Sequence, residues 1–154
     1  MGLITALENQ TRNRNRINVH LDGSYRFAVD RTLAVDLTIG KELSNEEVEA
    51  LQKLDAEERL YHRVQRLIRH RPHAEKEIRN RFKKEKIPED IQQSVIRRLI
   101  DRGLIDDHAF VEAWIENRQV FRPRSAKALR MELRQKGVPR DVIEQHLTGF
   151  DDEQ

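Results

Sequence analysis

The feature that most constrains this chain is an internal repeat. A shift of 51 residues lays Leu54-Asp55 on Ile105-Asp106, Arg71-Pro72 on Arg122-Pro123, and Ile78-Arg79 on Leu129-Arg130. The same shift lays Phe82-Lys83 on Leu133-Arg134, Ile87-Pro88 on Val138-Pro139, and Asp90-Ile91 on Asp141-Val142. A fixed period near 50 residues marks a stacked array, in which each unit buries its apolar face on a neighbour. Within each unit the apolar spacing is helical. Leu60, Val64, Leu67 and Ile68 form one stripe, Ile78 and Phe82 a second, and Ile91, Val95, Leu99 and Ile100 a third. Phe110, Trp114 and Ile115, then Leu129 and Leu133, then Val142, Ile143 and Leu147 repeat the series. Pro88 and Pro139 stand at helix starts, Gly103 and Gly137 at helix ends. The pattern predicts six helices of about three to four turns, in two three-helix repeats over 54–104 and 105–150. An acidic tail covers 151–154.

The first 53 residues have a different texture. Arg16-Ile17-Asn18-Val19-His20-Leu21 alternates polar and apolar, the period of a half-buried strand. Asp22-Gly23 then precedes Ser24-Tyr25-Arg26-Phe27-Ala28-Val29, and an Asp-Gly pair between two β-type runs is a strong hairpin signal. Leu3 to Leu7 supplies a third strand. Ser44 with Glu47 three residues on reads as a capping box opening a short helix through Leu51. Residues 1–53 are therefore expected to be a small β-hairpin module with one attached helix. Three strands are too thin to stand alone, so the module should lean on the helical part. The fold class is mostly α: two tandem three-helix repeats with an N-terminal β-hairpin module.

Composition agrees with thin cores. Hydrophobic residues are 37% and aromatics 5%, while charged residues reach 36%. There are no cysteines, which excludes disulfides, a thiolate zinc site and a cysteine nucleophile. No signal peptide and no apolar run of membrane-spanning length is present, so the expectation is a cytoplasmic protein without a membrane partner. Net charge is +2, but it is unevenly spread. Residues 1–58 sum to −4, residues 59–102 to +8 and residues 103–154 to −2. Arginine supplies 21 of the 29 basic residues, and its planar fork suits phosphate and carboxylate. A positive block of this kind attracts polyanions, and salt weakens the attraction.

Asp106-Asp107-His108 is the one cluster that suggests catalysis, as in a metal-dependent nuclease. Neighbours on a helix point about 100° apart, so the three do not converge on one ion. Asp106 instead sits where an N-cap is expected, and its repeat partner Asp55 is read the same way. His20, His62, His70, His73 and His146 lack a carboxylate at ligand spacing and read as exposed polar residues. Glycine-rich phosphate loops, nucleophile elbows and paired apolar-site carboxylates are missing from the sequence. The expectation is no catalytic residues, no metal and no cofactor. Phe110 and Trp114 read as core, with a partner-binding aromatic patch as the other use.

The arginines point to binding. Arg63, Arg66 and Arg69, with Arg59 before them, recur at helical spacing on the first repeat helix. Arg79 and Lys83, with Lys86 after them, do so on the second, and Arg97 and Arg98 end the third. Arg130 and Arg134 are the counterparts of Arg79 and Lys83 in the second repeat. Acids at pairing distance are few, so i,i+4 pairing does not account for most of them. The nine residues Arg63, Arg66, Arg69, Arg79, Lys83, Arg97, Arg98, Arg130 and Arg134 are the expected partner- or DNA-binding set. No recognition-helix or base-stacking motif supports base-specific readout.

Several of these stretches match a known pattern. Gly103-Leu104-Ile105-Asp106-Asp107-His108-Ala109-Phe110, Trp114-Ile115-Glu116-Asn117-Arg118 and Leu133-Arg134-Gln135-Lys136-Gly137-Val138 together resemble the central motif of the RecX family. Leu21-Asp22-Gly23-Ser24-Tyr25-Arg26-Phe27 is similar to the extension some members carry before their helices. The resemblance implies a non-enzymatic regulator that lies along the groove of the RecA–DNA filament. There it would block strand exchange and the coupled ATP hydrolysis and favour disassembly. Its partners would be RecA and the RecA–DNA filament, with DNA a possible direct contact, and the protein itself a monomer. Many members carry a third repeat, whereas the sequence here ends at Gln154 after two. The rival reading is a stand-alone DNA- or RNA-binding repeat protein.

Overall fold

A computed structural model describes residues 1–121 and 124–149. The Arg122-Pro123 half of the repeat alignment and the expected tail at 151–154 lie outside the described residues. The chain divides into two compact units, residues 1–63 and residues 64 onward.

The first unit is built on a four-stranded antiparallel sheet. β1 (Gly2–Asn9), β2 (Arg16–Leu21), β3 (Ser24–Asp30) and β4 (Glu42–Leu43) take the order β3-β2-β1-β4. The alternation in β2 and β3 puts Val19, Leu21, Phe27 and Val29 on the buried face with Ile4. Asp22 and Gly23 have φ of 52° and 90°, which is what the two-residue turn between Leu21 and its partner Ser24 demands. β4 was not expected; it pairs Gly2 with Leu43 and Leu3 with Glu42, covering part of the outer edge of β1.

The helix α1 runs unbroken from Asn45 to His70, 26 residues. This corrects the expected short helix ending at Leu51, and the expected division at 53/54 falls inside it. Nothing between Leu51 and Asp55 can stop a helix: Leu-Gln-Lys-Leu-Asp lacks Gly and Pro and consists mostly of good helix formers. The capping box is present as read, with Glu47 N–H donating to Ser44 Oγ and Ser44 N–H to Glu47 Oε1, both 3.1 Å. Val48 and Leu51 then pack against the sheet core.

Five further helices follow: α2 (Glu75–Lys84), α3 (Glu89–Asp101), α4 (Asp107–Phe121), α5 (Ala126–Gln135) and α6 (Arg140–Leu147). The 51-residue shift carries both ends of α2 onto both ends of α5, the start of α3 onto the start of α6, and the end of α1 onto the end of α4. Lengths range from 8 to 26 residues rather than the uniform three to four turns expected. In the second repeat Phe110, Val111, Leu129, Leu133, Val138, Ile143 and Leu147 close one core together with Ala74 from the first.

Candidate functional site

The basic side chains sort into two groups. Arg79 Nε donates to Glu75 Oε2 at 2.8 Å, an i,i+4 pair on α2. Its repeat partner Arg130 grips Glu144 of α6 with two bonds, 2.7 and 3.3 Å. Arg63 and Arg98 are half-buried and engaged with neighbours. These four of the nine expected binding residues therefore have work inside the fold. Arg66, Arg69, Lys83, Arg97 and Arg134 are exposed, and among the described residues no ion pair holds them. Lys83 and Arg134 are repeat equivalents, each one helical turn beyond an arginine that is tied to a glutamate. Each repeat thus presents one outward cation beside one anchored one on the same helix face. Arg97 and Arg98 are adjacent, so the helix turns them about 100° apart: Arg97 is exposed and Arg98 half-buried.

The Asp-Asp-His segment holds helix ends. Asp106 Oδ1 accepts the N–H groups of His108 and Ala109 at 2.9 and 3.2 Å, so it caps α4 as read. Asp107 turns away and accepts the Glu75 N–H, 32 residues back, at 2.9 Å. Burial pushes the Asp107 carboxyl up, the Glu75 N–H works against that, and the neighbouring acids add to the rise. In the second repeat Ser125 caps α5 with its own hydroxyl, accepting from Ala128 N–H at 3.2 Å. The equivalent of Ser125 is Ala74, which has no acceptor, and the carboxylate of Asp107 stands in at that helix start. The two aspartates face different helix ends, which leaves the nuclease reading without a shared site. His108 Nδ1 instead lies 2.9 Å from His146 Nε2.

Asp55 is not an N-cap, contrary to the repeat-based expectation. It sits in mid-α1, 5% exposed, where an N-terminus no longer exists because α1 is continuous. Its two oxygens accept Arg16 Nη1 at 3.1 Å and Nη2 at 2.9 Å, and Oδ1 also accepts the Asp30 N–H at 2.8 Å. Arg16 Nη2 reaches the Ala28 carbonyl as well, at 3.2 Å. That bidentate pair fastens α1 to β2 and β3 and holds the Arg16 pKa above its ordinary value, mainly through the Asp55 hydrogen bond. Thirty-nine residues separate the partners, and no local pattern announces such a pair.

Trp114 serves mostly as core. It packs beside Phe110 with ring centroids 5.8 Å apart, while Arg118 and Lys136 lie 4.6 and 5.6 Å from its ring centre. Among the described residues no group of three or more His, Cys, Asp or Glu is arranged to hold a metal ion. None of the described helices is long and apolar enough to cross a membrane.

Fold and surface together define a tandem three-helix-repeat protein with an N-terminal sheet, carrying outward cations at repeat-equivalent positions. Two family models match it, the regulatory protein RecX N-terminal domain over residues 2–44 and the RecX second three-helix domain over residues 106–147. Together they cover just over half of the sequence, and the chain belongs to the RecX family. The regulatory protein RecX of Bacillus velezensis is 32% identical over 152 residues, covering 97% of this chain and 58% of that protein. Its counterpart in Lactobacillus johnsonii is 31% identical, covering 100% and 57%. The chain thus spans less than two thirds of the length of these curated relatives. A crystal structure of regulatory protein RecX superposes with a TM-score of 0.85 at 27% identity, covering 99% of this chain and 76% of that one. A RecX structure from Lactobacillus salivarius shares the fold, with a TM-score of 0.60 over 65% of each chain.

Proposed function

We propose that this chain binds RecA and the RecA–DNA filament and inhibits the recombinase, slowing strand exchange and the ATP hydrolysis coupled to it. Membership of a family of regulatory proteins supports the reading, and the repeat-equivalent pair Lys83 and Arg134 carries it. Both are outward cations on helices where the arginine four residues earlier is paired with a glutamate of the same chain. A polyanionic or acidic surface that follows the repeat would meet the same charge twice. Arg66, Arg69 and Arg97 extend the contact set, whereas Arg63, Arg79, Arg98 and Arg130 act mainly in holding the helices.

Co-sedimentation of the chain with RecA–single-stranded DNA filaments, against DNA alone, at two salt concentrations, tests the proposal. Filament binding that exceeds DNA binding, with inhibition of strand exchange at micromolar protein, is expected. Tight binding to bare DNA that falls steeply with salt, without added affinity for filaments, would favour the stand-alone nucleic-acid binder instead.

A further inference from the structure

We propose that His108 and His146 form a two-imidazole site for a divalent late transition-metal ion, copper(II) most readily, bridging the first and third helices of the second repeat. The sequence reading assigns no metal, and it could not see this pair, because 38 residues separate the two histidines. The fold brings them together. His108 lies in the first turn of α4 and His146 in the last turn of α6. Buried Phe110 and Val111 anchor one backbone beside its histidine, and buried Ile143 and Leu147 anchor the other.

The spacing suits a chelate. Nδ1 of His108 and Nε2 of His146 are 2.9 Å apart, with ring centroids at 5.1 Å and planes inclined by 47°. Imidazole nitrogens bind such ions at about 2.0–2.1 Å. Two of them at right angles around one ion therefore stand about 2.8 Å apart, and at the tetrahedral angle about 3.3 Å. The observed separation lies closest to the right-angle case, which is the square-planar preference of copper(II). Copper(II) also heads the affinity order for a given nitrogen site. Without metal, one ring donates its N–H to the other. On chelation that ring moves the hydrogen to its other nitrogen, and both rings swing their lone pairs from each other toward a shared point. A neutral pair thus takes up the ion without releasing a proton.

His108 is exposed and His146 half-buried, so ion and water can enter. No third side chain of ligand type joins them among the described residues, which leaves the other coordination positions to water or another exchangeable ligand. The chain has no cysteine to outcompete imidazole. The first repeat has Glu57 and Val95 at the equivalent places, so the site belongs to the second repeat alone. An ion held there ties the start of α4 to the end of α6, and it binds only when those helices are packed.

Titration of the full chain with copper(II) chloride, followed by thermal unfolding and electron paramagnetic resonance, tests this. At a hundredfold excess over the dissociation constant, Tm should rise by about 5 °C or more. The spectrum should show two coordinating nitrogens. His108→Ala and His146→Ala should each remove most of the rise and weaken binding about a hundredfold or more, through loss of the chelate. His108→Asn and His146→Gln should do the same while preserving side-chain size. Without metal, all four should unfold close to the parent. Single-nitrogen coordination, or a Tm rise that survives these substitutions because His20, His62, His70 or His73 takes the ion, overturns the site.

Discussion

The two repeats place the same residue types at the same offsets and then use them differently. Asp55 and Asp106 are equivalent in sequence, yet one is a buried counter-ion in mid-helix and the other an exposed cap. The cause is the chain before each: α1 continues backward through Asp55 to Asn45, whereas α4 begins just after Asp106. Lys86 and Gly137 make a second contrast. Both take positive φ, 58° and 85°, and both close the same pattern of backbone bonds. Ile87 N–H reaches the Phe82 carbonyl and Val138 N–H the Leu133 carbonyl, each at 3.1 Å. Only the second is glycine. A Cβ built on Gly137 would run into the Cβ and Cγ of Lys76, so this turn is pressed against α2. The repeat fixes the backbone, and the neighbour decides the side chain.

Substitutions at paired positions break or sharpen this contrast. Asp55→Ala takes the carboxylate from the half-buried Arg16 guanidinium and the acceptor from the buried Asp30 N–H, and should cost about 3 kcal/mol. Asp106→Ala removes one exposed cap and should cost about 1 kcal/mol. Equal losses in denaturant titrations would mean the two aspartates do the same job after all. Gly137→Ala should cost about 2 kcal/mol, from the left-handed backbone and the Lys76 collision together. Lys86→Ala should be near neutral, since alanine meets the same positive φ as lysine, and Lys86→Gly should stabilise by about 0.5–1 kcal/mol. Asp107→Ala should lose about 1 kcal/mol by uncapping α2. Asp107→Asn, which keeps an acceptor but drops the desolvated charge, should lose much less at pH 7.

Acid titration separates two further carboxylates. Burial pushes Glu77 up, but the Arg71 guanidinium, 3.0 Å away, and the Ala74 N–H outweigh it and leave the group below its ordinary 4.5. Its contribution is therefore present above pH 4.5 and disappears as pH falls through the lower folded value. Asp107 has the opposite sign. Its folded pKa lies above the ordinary 3.8, so the cost of its charge is present at neutral pH and is relieved as pH falls through the folded value. Acid unfolding of Glu77→Gln should lose part of the parent's pH dependence below pH 4.5. Asp107→Asn should instead flatten the parent's dependence at a higher pH.

The sequence was legible wherever the signal was local or periodic. The Asp22-Gly23 turn, the Ser44–Glu47 box and the Asp106 cap rest on residues within a few positions of one another, and the 51-residue shift rests on periodicity. What was hidden lies far apart in the chain: Arg16 with Asp55, Glu75 with Asp107, His108 with His146. The nine expected binding residues illustrate the boundary. Charge spacing along each helix singled them out, but Arg130 pairs with a glutamate 14 residues away, on another helix, which spacing along one helix does not reveal. The repeat sets Asp55 in register with the Asp106 cap, but there the first copy merges into the longer helix α1, which has no N-terminus at that point.

The most direct test of the account compares two double variants in filament co-sedimentation. Lys83→Glu with Arg134→Glu reverses the two outward cations, and should lower affinity for RecA–DNA filaments about tenfold or more while leaving Tm within a few degrees. Arg79→Gln with Arg130→Gln removes the two anchored arginines, and should lower Tm with a much smaller change in affinity. The reverse pattern, in which the anchored pair controls filament binding and the outward pair does not, would contradict the division of labour proposed for the two repeats.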